Sequence, residues 1–133
     1  MLGACGVQVG TRFLVAKECG VHQNYKNKVL KANDIATMTT GKRLGHPVRS
    51  IKNKFTRNLF KCEYDSSISD EELDQMGVGA LRKAAVDGDE DNGCILAGQI
   101  AGMVNKEQTA QEIIDDILTG AEKTLKGADK WVK

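Results

Sequence analysis

Apolar residues recur at helical spacing in several stretches of the chain. The clearest stretch begins at Thr109 and Glu112, which form a capping box and predict the start of a helix. The apolar stripe that follows consists of Ile113, Ile114, Ile117, Leu118, Ala121 and Leu125. A second capping box, Ser69 with Glu72, predicts a helix that stops near Gly77, and Ala80 to Val86 predicts the next.

Shorter patterns complete an architecture that is mostly helical with one or two short strands. Helical spacing covers His22 to Ala32, Ile95 to Val104 and a turn at Thr11 to Glu18. Gly6 to Gly10 and Ile35 to Thr40 have the pattern of short strands, whereas Val48 to Arg57 fits a strand or a helix, and we favour a helix running to about Phe60. The tail from Gly127 to Lys133 is expected to be loosely ordered.

Composition limits the class of protein. With 133 residues, 41% hydrophobic and 5% aromatic, the chain amounts to one domain, with a core built from aliphatic side chains. Few aromatic residues argue against stacking on single-stranded nucleic acid. Although the net charge is +1, residues 12–61 are strongly basic and residues 63–91 strongly acidic. Such polarity indicates either a docking surface for an anionic partner or two segments that neutralise each other.

The cysteines and carboxylates do not form a metal motif. Cys5, Cys19, Cys62 and Cys94 stand singly, so we predict no zinc site and expect reduced, buried thiols, which favours the cytoplasm. Asp87 to Asp91 imitates a calcium loop, but Gly98 occupies the position of the chelating glutamate. No apolar run is long enough to cross a membrane.

The string Gln8-Val9-Gly10-Thr11 is the most informative short pattern. It places a glycine and a hydroxyl residue where a predicted strand meets a helix, a turn that can direct backbone N–H groups at a phosphate. The alternative is an ordinary strand-to-helix turn.

Gly98 and Gly102, four residues apart, predict close approach of another backbone segment. His22 and His46 are single histidines without nucleophilic partners, so the chain by itself offers no catalytic set.

Taken together, these strings resemble part of bacterial enoyl-acyl carrier protein reductase II, a flavoenzyme related to the nitronate monooxygenases. The resemblance is carried by Leu2-Gly3-Ala4, Gly6 to Phe13, Ala16-Lys17-Glu18, Asn24-Tyr25-Lys26, Leu30-Lys31-Ala32, Gly45 to Arg49, Lys52-Asn53-Lys54, Gly79 to Ala84 and Ala97 to Gly102. It implies an α/β TIM barrel with a helical insertion. Residues 1–20 would supply the last barrel strand and turn, 21–104 the helical substrate-domain insertion, and 105–133 a closing helix and loose tail.

The resemblance also implies a cofactor, a substrate and a partner. Gln8, Val9, Gly10 and Thr11 would contact the FMN phosphate, and NADH or NADPH would donate a hydride for reduction of a trans-2-enoyl chain on acyl carrier protein. The family's catalytic histidine has no counterpart here. Acyl carrier proteins are acidic, so a basic face is expected to steer their approach. Its members would be Lys42, Arg43, Arg49, Lys52, Lys54 and Arg57.

Two alternatives stay open at this stage, namely a nitronate monooxygenase and a helical interaction module without chemistry. Under the family resemblance the rest of the barrel lies upstream, which makes Met1 an internal methionine and the present residues alone inactive and unable to hold FMN. Residues 6–10 would then lack sheet neighbours. An unpaired strand edge favours association, so a homodimer is compatible with this interpretation.

Overall fold

A computed structural model describes residues 3–128, and residues 129–133 of the predicted loose tail lie outside that range. The described part is mostly helical, with one two-stranded sheet. In chain order the elements are α1 (Thr11–Leu14), α2 (Gln23–Leu30), β1 (Thr37–Thr40), β2 (Val48–Ile51), α3 (Lys54–Glu63), α4 (Asp70–Gly77), α5 (Ala80–Ala85), a 3₁₀ helix (Gln99–Met103) and α6 (Ala110–Lys126).

Both predicted capping boxes form. The Ser69 hydroxyl accepts a hydrogen bond from the Glu72 amide, and the Glu72 carboxylate accepts one from the Ser69 amide. Thr109 and Glu112 make the same reciprocal pair. Because these bonds satisfy amides that have no partner inside a helix, α4 and α6 begin where the sequence predicts.

The prediction of a helix from Val48 was wrong for residues 48–53, and that of a helix from Ile95 was wrong for residues 95–98. Val48–Ile51 forms β2, which pairs antiparallel with β1 in a register that joins Thr37 to Ile51 and Thr40 to Val48. The other edge of β2 bonds to residues 95–97: the Ile51 amide donates to the Ile95 carbonyl at 2.8 Å, and the Ala97 amide to the Arg49 carbonyl at 3.1 Å. Backbone pairing on both edges therefore decides the conformation in favour of extended chain.

The core lies between α2, α5, β2 and the segment 95–104. Its fully covered side chains include Val29, Ile95 and Ala101. The predicted close approach at the Gly98–Gly102 string is confirmed, because a Cβ placed on Gly102 would lie 2.6 Å from the carbonyl carbon of Asn33. Only a residue without a side chain fits there.

Two predicted apolar patterns are not buried within the described part of the chain. Residues 6–10 are exposed and form no strand, and the Val7 side chain is 82% exposed. On α6 only Ile113 is buried, whereas Ile114, Ile117 and Leu118 are exposed. No helix within residues 3–128 is long and apolar enough to cross a membrane.

The basic and acidic segments pair with each other in part. Lys28 lies 3.0 Å from Glu90, Arg43 lies 2.7 Å from Asp70, and Lys54 lies 3.4 Å from Asp91.

All four cysteines are free, but the prediction that they are buried was wrong, since Cys5 is exposed and the other three are half-buried.

Candidate functional site

The string Gln8 to Thr11 forms an exposed turn that leads into α1. Gly10 is the residue before the helix, with φ −100° and ψ −65°, and no side chain caps the helix start. Within residues 3–128 no backbone carbonyl accepts a hydrogen bond from the amide of Gly10, Thr11 or Arg12. A Cβ placed on Gly10 would meet no atom of residues 3–128 within 4 Å. The turn therefore combines amide donors that lack a carbonyl acceptor with open space beside Gly10, and such donors can bind an anionic group.

A side-chain hydrogen bond ties the turn to the body of the protein. The Thr11 Oγ1 accepts a hydrogen bond from the Gly98 amide at 2.9 Å. This bond leaves the hydroxyl proton of Thr11 free to donate elsewhere. The residue after α1, Val15, is completely buried, so α1 is held at both ends.

The next residue, Arg12, is anchored away from the turn. Its guanidinium donates to the Gln108 side-chain carbonyl, and the Gln108 side-chain amide donates to Asp116 at 2.9 Å. Asp116 also accepts from Lys106 at 2.8 Å. The Lys106 and Gln108 hydrogen bonds lower the pKa of Asp116 below its ordinary value, with Lys106 contributing most. This polar network connects the turn to α6.

An apolar cleft of about 450 Å³ opens beside the turn. Its lining is almost entirely aliphatic, apart from the backbone of the turn, the Thr11 hydroxyl and one tyrosine. The lining residues are Gly10, Thr11, Leu14, Val21, Tyr25, Leu81, Ala85, Leu96 and Ala97. Free amides at one end and an apolar wall beyond them suit a ligand that joins an anionic group to an apolar body.

None of the described residues that line the cleft is suited to proton transfer near neutral pH. Tyr25 is the one titratable side chain among them, and its hydroxyl donates to the Leu96 carbonyl at 2.7 Å. Burial raises the pKa of Tyr25 far above its ordinary value. The lining can therefore bind and orient a ligand, while acid–base chemistry needs a group from outside it.

The two histidines lie apart from this cleft. His22 caps α2, where its Nδ1 accepts from the Asn24 amide at 3.1 Å, a role that the sequence analysis missed. His46 is exposed in the loop before β2 and lines a small separate cavity. The cap could have been found from the polar residue directly before the apolar period of α2.

The predicted basic face is largely engaged within the chain. Arg43 and Lys54 pair with carboxylates, as described above, and the Arg49 guanidinium donates to the Thr37 hydroxyl at 3.1 Å. The Lys52 amine donates to the Ile35 carbonyl at 2.6 Å. Lys42 and Arg57 form no ion pair within residues 3–128. Two of the six cations are therefore paired with carboxylates, and two more donate to uncharged oxygen atoms.

A further residue that the sequence analysis overlooked is Lys26. Its side chain is nearly buried, and its amine donates to the Ala16 carbonyl at 2.7 Å and lies 3.5 Å from a Glu107 carboxylate oxygen. Lys26 thereby joins α2 to the segment after α1 and to the segment before α6. A lysine inside an otherwise amphipathic helix is normally exposed, so no local signal marks this position.

Comparisons with known proteins place this architecture in a family. The family model described as nitronate monooxygenase matches residues 1–120. A probable nitronate monooxygenase of Staphylococcus saprophyticus is 32% identical over 126 residues, which are 94% of this chain and 35% of that protein. A probable nitronate monooxygenase of Bacillus subtilis is 27% identical over 116 residues, which are 87% of this chain and 33% of that protein.

The solved structures include a closely similar one. The structure of FabK from Thermotoga maritima superposes with a TM-score of 0.91 and 37% sequence identity, covering 98% of this chain and 41% of that one. The chain therefore belongs to the nitronate monooxygenase family, which confirms the superfamily that the sequence resembles. It spans well under half the length of these relatives.

Proposed function

We propose that this chain is part of a flavin-dependent oxidoreductase whose FMN phosphate is bound by Gln8, Val9, Gly10 and Thr11. The observation that carries the proposal is the pair of amides at Gly10 and Thr11 that meet no carbonyl acceptor within residues 3–128, in a turn that lines an apolar cleft. A dianionic phosphate needs several donors, and its attached organic body needs an apolar wall. The residues present fit both requirements.

Each residue of the turn has a distinct part in this proposal. The amides of Gly10 and Thr11 donate to phosphate oxygens, and the absence of a side chain at Gly10 permits the close approach. Thr11 contributes its free hydroxyl proton, while its bond to the Gly98 amide keeps the side chain in place. When bound, FMN supplies hydride transfer between a nicotinamide cofactor, NADH or NADPH, and the substrate.

For the substrate, we favour a trans-2-enoyl chain carried by acyl carrier protein. The TM-score of 0.91 to FabK supports this choice, since FabK is the enoyl-acyl carrier protein reductase of this superfamily. Nitronate oxidation is the second candidate, favoured by the family model and by the names of the relatives in S. saprophyticus and B. subtilis.

We propose that acyl carrier protein docks on a smaller basic face than the sequence predicts, made of four of the six cations. The cations that lack a carboxylate partner, Lys42, Arg49, Lys52 and Arg57, would attract the acidic carrier, whereas Arg43 and Lys54 are already paired. Encounter steered by exposed charges weakens with added salt. The KM for carrier-bound substrate should therefore rise with ionic strength, and a flat response would remove this partner surface.

Gly10→Ala in the full-length protein that contains these residues tests the FMN site. The new methyl group meets no atom of residues 3–128, so stability should stay the same or rise by about 0.4–1 kcal/mol. It would occupy the space that the phosphate needs. Loss of one hydrogen bond to a charged acceptor costs about 1.5–3 kcal/mol, so we expect FMN to bind at least about tenfold more weakly.

The matched control is Gly20→Ala, because Gly20 also has open space around its Cβ position and no positive φ. Flavin fluorescence quenching gives the affinity, and thermal unfolding of the apoprotein gives the stability. Unchanged FMN affinity in Gly10→Ala would refute the proposed site. The two candidate reactions are then distinguished by assaying the same preparation with a trans-2-enoyl carrier substrate and with a nitronate. If the wild-type protein binds no FMN at all, the result would favour the helical interaction module.

A further inference from the structure

A second cavity lies on a different side of the fold, between the end of α2, the loop before β1 and the start of α3. Its volume is about 490 Å³. It shares no lining residue with the cleft beside Thr11. The lining residues are Asn27, Lys28, Lys31, Ala32, Asn33, Ile35, Ala36, Ile51, Lys52, Arg57 and Glu90.

The charge around this cavity is unbalanced. Four of its lining side chains are basic and one, Glu90, is acidic. Glu90 is already paired with Lys28 at 3.0 Å. Lys31 and Arg57 form no ion pair within residues 3–128, and the Lys52 amine meets only a neutral carbonyl. Cations gathered around a concave space with a low-dielectric wall concentrate positive potential inside it.

The remaining wall is apolar and held in place. Ile51 is buried in the sheet, and the Lys52 amide donates to the Ala36 carbonyl at 2.8 Å, which fixes the loop before β1 against β2. The backbone at Asn33 packs directly on Gly102. Because the backbone of these walls is fixed, ligand entry requires ordering of the exposed basic side chains and not of the backbone.

We propose that this cavity binds an organic phosphate monoester. Arg57 offers a planar guanidinium that can bind two phosphate oxygens at once, and Lys31 and Lys52 add ammonium groups. The Asn27 and Asn33 side chains can bond to polar atoms of the organic body, and Ile35 and Ile51 cover its apolar surface. The cavity is separate from the proposed FMN site, and Lys52 and Arg57 belong both to it and to the face proposed above for acyl carrier protein.

Calorimetric titration of the full-length protein with two phosphate monoesters tests the proposal. One probe is 4′-phosphopantetheine with pantetheine as its control, and the other is adenosine 2′-monophosphate with adenosine as its control. We expect at least one monoester to bind tenfold or more tightly than its dephosphorylated form. The monoester that binds more tightly identifies whether the cavity prefers a pantetheine or a nucleoside as the organic body.

Variants localise the binding. The double substitution Lys31→Ala with Arg57→Ala should weaken the preferred monoester at least tenfold. Lys61→Ala, which removes an exposed lysine on the same helix as Arg57 but outside the cavity, should leave it unchanged. FMN content should be the same in all three proteins, since the turn at Gly10 is untouched. Equal affinity for both members of each probe pair, or an unaltered affinity in the double variant, would overturn the proposal.

Discussion

Asn53 connects three parts of the fold, and its replacement by alanine should be the most damaging single change outside the aliphatic core. The residue is only 7% exposed. Its Oδ1 accepts from the Thr56 amide at 2.9 Å and caps α3. Its Nδ2 donates to the carbonyls of Glu90 and Gly93 at 2.9 and 2.7 Å. One side chain therefore starts a helix and holds the loop that brings the acidic segment beside the basic one.

The cost of Asn53→Ala can be added from these three bonds. Loss of an N-cap costs about 0.5–2 kcal/mol, typically about 1. The two carbonyls lose their donors, and each such bond contributes about 0.5–1.5 kcal/mol. The backbone bond from the Asn53 amide to the Thr56 hydroxyl survives the substitution. We therefore expect the free energy of unfolding to fall by about 1.5–5 kcal/mol, with a central value of about 3 kcal/mol.

Urea unfolding followed by far-ultraviolet circular dichroism measures this change. Ser69→Ala is the matched control, since Ser69 caps α4 with a similar reciprocal pair but is exposed and, among residues 3–128, bonds to nothing beyond its own helix. The control should lose only the cap contribution, about 1 kcal/mol. If Asn53→Ala costs no more than Ser69→Ala, the two loop bonds contribute nothing and the reasoning is wrong.

Two further predictions concern packing and pH. Gly102→Ala should destabilise the protein by about 1–3 kcal/mol, because its methyl group would collide with the backbone of residues 33–34. The control Gly120→Ala, on an open helix face, should not destabilise it. Equal unfolding midpoints for the two variants would contradict this prediction. Because the pKa of Asp116 is lowered in the folded protein, its stabilisation is present above the unfolded pKa and is lost as the pH falls through the folded value. Lys106→Met should raise the Asp116 pKa in an NMR titration, and an unmoved pKa would show that the hydrogen bond is not its main cause.

Features that depend on a few neighbouring residues could be predicted from the sequence. The capping boxes at Ser69 and Thr109 involve residues three apart, so their chemistry is written locally. The start of α1 after Gly10 is similar, because that prediction involves neighbouring residues, whereas the strand predicted before it at residues 6–10 does not form.

Features that depend on distant residues could not be predicted in this way. Val48 to Ile51 fits either a strand or a helix, and only β1 on one edge and residues 95–97 on the other decide between them. The box formed by Asn53 and Thr56 is a local signal for a later helix start, but the apolar residues before it obscure the signal. The cleft beside the turn likewise combines side chains from residue 10 to residue 97, and no spacing reveals that.

Helix α6 illustrates that a sequence can predict the type of an element without predicting how that element packs. Its cap and apolar period predict a helix beginning at residue 110, and the helix forms there. The same period predicts a buried face, yet Ile113 is covered while Leu118 and Leu125 are more than half exposed within residues 3–128. A hydrophobic period indicates that a face is to be covered, but it carries no information about the residues that cover it. Burial depends on those residues, so packing is the part of this fold that its own sequence predicts least.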